Sequence, residues 1–229
     1  DMSNERVNVA GAQVSPAHYI NGQRVATGPR FEVRSPIDQS LLAEVHEGGA
    51  EEVDEAIRSA EAAFPAWAAL GAAGRKPYLD RFAAAIERRA DDFCRVESTD
   101  AGVLLSRMRH GVVPRAKQNI AWFAAHALEL QERPLETEQA HHRVRHDPAG
   151  VVVIITPWNA PLMLSTWKLG PALAAGNTCI LKPPEWAPLT CSMLADAADE
   201  AGLPPGVFNV VQGGGIATGS RLVADPRLA

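Results

Sequence analysis

The chain has 229 residues, of which 46% are hydrophobic and 21% charged, the profile of a globular chain long enough to bury a sizeable core unaided. Twenty-two Lys and Arg stand against 27 Asp and Glu, a formal charge of −5. These values exclude intrinsic disorder, collagen-like repeats and a broad nucleic-acid footprint.

No apolar run reaches the roughly eighteen residues of a membrane span; the longest comparable stretch is 149–157. The first six residues, Asp-Met-Ser-Asn-Glu-Arg, have neither the basic nor the apolar part of a secretory signal. Cys94, Cys179 and Cys191 form no pair at metal or redox spacing, and their odd number argues against a disulfide framework. The expected setting is the reducing cytoplasm, with no nucleic-acid or membrane partner.

In chain order, residues 1–18 are polar and irregular and read as a mobile arm. Tyr19 to Val25 carries Asn21-Gly22 between apolar neighbours, a strong hairpin signal. Phe31-Glu32-Val33-Arg34 alternates until Ser35-Pro36 breaks it, and residues 41–45 read as a further weak strand. From Glu51 the period changes. Val53, Ala56, Ile57, Ala60 and Phe64 recur at helical spacing, with acids in the first turn where the helix dipole favours them. Leu79, Phe82, Ala83, Ile86 and Phe93 make a second apolar stripe. A third helix is expected over 114–130, with Ile120, Phe123, Ala124 and Ala127 inward. Residues 19–130 thus read as helices carrying a small β appendage.

Residues 131–149 differ again. Arg133-Pro134 and Asp147-Pro148 bracket a basic stretch, His141-His142-Arg143-Val144-Arg145-His146, whose alternation suggests an exposed two-stranded excursion. His142 and His146 would stand roughly 13 Å apart along a strand, too far for one metal.

After Gly150 the pattern becomes α/β. Val151–Ile155 is a continuous β-branched run, expected to be buried on both faces. Residues 178–181 and 207–211 are two more such runs. Helical segments over 161–175 and from Leu189 to Ala201 separate them, and Ile216 begins another. Strand, helix, strand, helix, strand at this spacing implies a parallel sheet with right-handed crossovers.

Such a sheet binds ligands beyond the C-terminal ends of its strands. After the first strand comes Thr156-Pro157-Trp158-Asn159-Ala160-Pro161, which is not G-x-G-x-x-G. Its prolines stiffen a turn that presents Trp158 and Asn159. The Asn159 amide could donate to a developing oxyanion, or it could cap the next helix. After the second strand stands Lys182-Pro183-Pro184-Glu185. An acid there can accept from a ribose hydroxyl and would repel a 2′-phosphate, and Lys182 can donate to ribose or phosphate; a solvated Lys–Glu loop pair is the alternative. After the third strand, Gly213-Gly214-Gly215 and Gly219 allow close backbone approach to a ligand. All three cysteines read most simply as small core residues, and no nucleophile is evident.

Together the stretches Thr156-Pro-Trp-Asn-Ala-Pro-Leu162, Trp167-Lys168, Pro171-Ala-Leu-Ala-Ala-Gly-Asn-Thr178, Leu181-Lys-Pro-Pro-Glu185, Pro188-Leu-Thr190 and Glu200-Ala-Gly-Leu-Pro-Pro-Gly-Val-Phe-Asn-Val-Val211 resemble the NAD(P)-dependent aldehyde dehydrogenases. Ala60-Glu-Ala-Ala-Phe-Pro-Ala-Trp67 and Asp100-Ala-Gly102 extend the likeness upstream, so that it runs from about Tyr19 to Ala229. The resemblance implies an incomplete Rossmann-like parallel sheet over 150–229, with N-terminal helices over 19–130 completing the cofactor domain. It also implies that the 131–149 excursion serves oligomerisation, as a homo-dimer or homo-tetramer in the full-length protein.

By the same resemblance Asn159 stabilises the thiohemiacetal oxyanion and Lys168 assists proton movement. Lys182 and Glu185 contact the adenosine ribose, while Thr156, Pro157, Trp158, Gly215 and Gly219 line the cofactor cleft. NAD is the expected cofactor, NADP remaining open, and a small aldehyde the expected substrate. Arg109-His-Gly-Val-Val-Pro-Arg-Ala-Lys-Gln-Asn119, followed by Ala121-Trp-Phe-Ala124, looks like the branch acting on muconate-type semialdehydes. There Arg115 would pair with a substrate carboxylate through a bidentate fork, with a surface arginine as the alternative; Ala160 fits the same branch.

The family's nucleophilic cysteine, general-base glutamate and nicotinamide-side Gly-Ser-Thr turn lie beyond Ala229. The expectation is therefore the cofactor-binding half of an enzyme oxidising an aldehyde or semialdehyde to its acid, inactive on its own. The alternative is a non-catalytic fragment that binds NAD weakly or only associates with partners. The three strand-end loops are expected to converge on one nucleotide and the aldehyde oxygen beside it.

Overall fold

In the computed structural model, which describes residues 5–130 and 133–229, the chain opens on two paired strands, β1 (Val7–Val9) and β2 (Ala12–Val14). Ala10 and Gly11 take positive φ, 49° and 85°, to turn the chain between them. Val9, Ala12 and Val14 are buried. The segment expected to be an irregular, mobile arm is thus a packed hairpin from Val7 onward, because its alternate apolar residues have a core to face. Residues 1–4 of that arm lie outside the described residues.

β3 (His18–Ile20) and β4 (Gln23–Val25) form the hairpin that Asn21-Gly22 foretells. Both turn residues have positive φ, 53° and 75°, as a type I′ turn demands. This hairpin is no appendage: Tyr19 on β3 pairs with Val210 in the main sheet. β5 (Arg30–Arg34) and β6 (Leu41–His46) make a separate antiparallel pair.

α1 (Ala50–Ala69) begins where the Gly49 N–H donates to Glu52 Oε2 at 2.8 Å, and buries Val53, Ala56, Ile57 and Ala60. The second stripe is divided at Arg89 into α2 (Gly71–Arg88) and α3 (Ala90–Asp100). α4 (Leu105–Arg107) runs through a π-helical turn, Met108–Val112, into α5 (Val113–His126), which ends short of residue 130. β7 (Arg133–Glu136) and β8 (His141–Val144) then pair antiparallel, and the β8 side chains are all exposed.

The remainder alternates: β9 (Val151–Ile155), α6 (Pro161–Ala174), β10 (Thr178–Lys182), α7 (Leu189–Glu200), β11 (Phe208–Val210), a π-helical turn over Gly215–Gly219, and α8 (Ser220–Ala224). β9, β10 and β11 are parallel, and β3 and β4 extend the sheet to the order β4-β3-β11-β10-β9. β10 lies between two parallel neighbours and is buried throughout. β9 is not buried on both faces as expected: among the described strands it stands at an edge, with Ile155 exposed.

Alternation along β10 divides the core. Cys179 and Leu181 join the larger cluster with Phe82, Leu173 and Leu194, while Ile180 meets Val53, Ile57 and Leu222 beneath α1 and α8. Helices thus cover both faces. The C-terminal ends of β9, β10 and β11 share one rim, where the Thr156 N–H donates to the Lys182 carbonyl at 3.4 Å and the Val211 N–H to the Leu181 carbonyl at 3.0 Å.

Candidate functional site

Lys182 ends β10 with its side chain folded inward, only 2% exposed as a residue. Its Nζ donates to the Gly213 carbonyl at 2.7 Å and to Glu185 Oε2 at 3.2 Å. A buried ammonium fixed by two acceptors is not the solvated loop pair that the sequence left open. Partial burial pushes the Glu185 carboxyl up, but its own backbone N–H, Lys182 and the Gly215 N–H outweigh this and hold it below the usual carboxylate range. Lys182, Glu185, Gly213 and Gly215 therefore form one cluster. It joins the ends of β10 and β11, with an anionic acceptor at its surface.

The glycines divide their duties differently from expectation. A Cβ at Gly215 would meet nothing within 4 Å, so no close approach within the chain demands glycine there. The demanding position is Gly213. Its φ is 143°, and an added Cβ would fall 2.0 Å from Thr218 Oγ1. At Gly219 a Cβ would stand 3.4 Å from Lys182 Cδ, so this glycine lies against the lysine stem. The Gly214 N–H donates to Glu47 Oε1 at 3.2 Å and pins the loop from outside.

At the end of β9, Thr156 is buried while Pro157, Trp158 and Asn159 are exposed. Trp158 and Trp186 stand 6.3 Å apart between ring centroids. They share with Glu185 a cleft of about 420 Å³ that Asp100 and Arg34 also line. Asn159 does not cap the next helix. The N-cap position of α6 is Ala160, which makes no side-chain cap bond. The acceptor comes instead from α3, as the Leu162 N–H donates to Glu97 Oε2 at 3.1 Å. The same oxygen accepts from Thr190 Oγ1 at 2.7 Å, and the Leu189 N–H donates to Asp100 Oδ2 at 2.9 Å. Two buried acids one helical turn apart thus hold the starts of α6 and α7. Sequence reasoning missed both; their i, i+3 spacing on an otherwise apolar helix face was the available signal.

Asn159 instead lines a separate cavity of about 590 Å³ with Ala160, Met163, Trp167, Arg115, Arg107 and His110 on its walls. Arg115 lies with its guanidinium 5.7 Å from the centroid of the Trp167 ring, which stacks and orients it. The cavity offers an amide donor at one place and two cations and an imidazole elsewhere, a constellation suited to a ligand with a carbonyl and a carboxylate. Arg107 and His110 also escaped the sequence reading, because the π-helical turn that brings them beside Arg115 has no sequence period of its own.

The residues expected to share one crevice fall on two cavities and on the rim beside them. Asn159 shares its cavity with Arg115, while Lys182 and Gly215 lie outside both cavities; the stiff 156–161 turn separates the two halves of the rim. Lys168 is exposed on α6 and lines neither cavity, one residue round the helix from Trp167. The cysteines are all buried and unpaired. Burial raises the thiol pKa of each, that of Cys191 to about 12, so none is an activated nucleophile.

An open α/β sheet with ligand-ready groups at the ends of its parallel strands is a Rossmann-like domain. Residues 24–229 match the model of the aldehyde dehydrogenase family, and the chain belongs to that family. It is 36% identical over 208 residues to the 5-carboxymethyl-2-hydroxymuconate semialdehyde dehydrogenase of Escherichia coli, covering 90% of this chain and 44% of that protein. It is 40% identical over 208 residues to the 2-hydroxymuconic semialdehyde dehydrogenase of a Pseudomonas species, covering 86% and 42%. Among solved structures, the P. syringae indole-3-acetaldehyde dehydrogenase AldA, in complex with NAD+ and IAA, superposes with a TM-score of 0.91 at 35% identity, covering 95% of this chain and 45% of that one. The chain thus spans less than half the length of these relatives. Among the described residues, no helix is long and apolar enough to cross a membrane.

Proposed function

We propose that this chain supplies the adenosine-side cofactor site and the oxyanion donor of an aldehyde dehydrogenase acting on a carboxylate-bearing semialdehyde. The carrying observation is that Asn159 and Arg115 wall the same cavity. A semialdehyde whose carboxylate lies in the Arg115 fork would have its aldehyde oxygen within the reach of an amide donor. Relatives named as muconate-type semialdehyde dehydrogenases support this substrate class.

For the cofactor, the residues present suit a nucleotide. Glu185 offers a surface carboxylate to ribose hydroxyls, held charged by the buried Lys182 beneath it. Thr156, Pro157, Trp158, Gly215 and Gly219 border the same rim. A bound nicotinamide would accept the hydride; this chain's own part is to hold the ribose, orient the turn and donate at the aldehyde oxygen. The carboxylate at position 185 disfavours a 2′-phosphate, which favours NAD over NADP. Lys168, exposed on α6, is kept as the proton-movement candidate. Three unpaired thiols suit a reducing cytoplasm, and the exposed β7–β8 pair is the proposed self-association element. With no activated thiol among its described residues, the chain alone is expected to bind without turning over.

Calorimetric titration of NAD into the wild-type chain and Glu185→Ala tests this. Losing a charged ribose acceptor should weaken binding about tenfold or more. Equal affinity in the two proteins removes the cofactor assignment.

A further inference from the structure

His18 stands outside every role assigned so far. It is fully buried on β3, on the strand that pairs with β11. Two residues past the end of β11, the Gln212 N–H donates to His18 Nδ1 at 3.0 Å. The other side of the same residue is held too, since the Gly48 N–H donates to the Gln212 carbonyl at 2.8 Å. The next residue is Gly213, whose carbonyl receives Lys182 Nζ. Gly48 lies against the ring, since a Cβ added there would stand 3.3 Å from His18 Cε1.

Because the backbone N–H donates to Nδ1, the ring proton belongs on Nε2 and the ring must be neutral. Burial pushes the His18 pKa down to about 4, against the opposing pull of Glu52, so the acceptor survives across the neutral range.

We propose that His18 is a positioning residue for the glycine loop: its Nδ1 fixes the Gln212 peptide, thereby the Gly213 carbonyl, and through it the Lys182 ammonium. The part of this that concerns NAD rests on the cofactor site proposed above. The anchoring of the loop does not, and the two can fail separately.

Two substitutions separate geometry from simple loss of the ring. His18→Asn places its amide oxygen where Nδ1 stood. His18→Gln places it near the former Nε2 and leaves Gln212 N–H without an acceptor. Amide hydrogen exchange of the 229-residue chain is read at Gln212–Gly214, with Cys179–Leu181 in β10 as the internal control. NAD affinity is measured on the same proteins by calorimetry.

Exchange at Gln212 in His18→Gln should quicken about five-fold, the net worth of one hydrogen bond, with NAD binding weakened to a similar degree. His18→Asn should stay within about two-fold of wild type in both readouts, and β10 should not change in either variant. Equal behaviour of the two variants overturns the proposal, as does quickened exchange spread evenly over β10. If the wild-type chain binds no NAD while the Asn and Gln variants still differ at Gln212, the loop anchor stands and the cofactor site falls.

Discussion

Glu97 shows how one buried carboxyl governs a turn it never enters. Its Oε2 serves the Leu162 N–H and the Thr190 hydroxyl, while Oε1 has no partner among the described residues. Desolvation pushes its pKa up to about 7, opposed by those two donors. A carboxyl raised in the folded state stabilises below its unfolded pKa, and that contribution fades as pH climbs through the folded value. Relative to Glu97→Gln, which keeps an acceptor without the charge, the wild-type chain should lose on the order of 3 kcal/mol of stability as pH rises from about 4.5 to about 7. Urea unfolding of both proteins across that range checks it, and parallel curves would sink the idea. At this scale the sequence showed which residue types could act, but not their settings. Lys182 and Glu185 were legible as a candidate pair at the end of a strand, with a solvated loop pair as the alternative. Only coordinates showed Lys182 buried and bonded to Gly213.

At the scale of elements, the N-terminal hairpin of β3 and β4 is the main surprise. Asn21-Gly22 announced the hairpin because a type I′ turn needs two positive φ values and those residues accept them. Its place in the main sheet could not be read, since pairing between Tyr19 and Val210 joins positions 191 residues apart and leaves no local period. Arg24 locks this arrangement. Its guanidinium reaches Asp196 at 2.6 Å and the Ser192 carbonyl at 2.9 Å on α7, with both charged side chains only 9% exposed. Arg24→Met should therefore cost about 3 kcal/mol or more, because it strips Asp196 of its most buried partner. Chemical denaturation measures this, and a loss under about 1 kcal/mol would mean that Arg6, the other cation on Asp196, suffices alone.

Across the whole molecule, the 156–161 turn acts as a partition. Arg115 and Asn159 face one cavity, Trp158 and Glu185 another. Sites that share no side chain should respond independently. Arg115→Ala is expected to weaken binding of a muconate-type dicarboxylate by about tenfold, the worth of a charge-assisted bidentate contact, while NAD affinity stays within about two-fold. Parallel calorimetric titrations decide it; a matching loss in NAD affinity would show that the partition is not functional.

What the amino-acid order determined alone was local: the α/β rhythm after Gly150, the helix stripes, the Asn-Gly turn and the residue types waiting at each strand end. These follow from backbone sterics and from which side chains repeat at 2 or 3.6 residues, so a short window suffices. Folding decided the rest: the hairpin's place in the sheet, the capping of α6 and α7 by Glu97 and Asp100, the grouping of Arg107 and His110 with Arg115, and the division of the rim into two cavities. Those depend on which distant surfaces meet and on which polar groups are left to satisfy one another once water is gone.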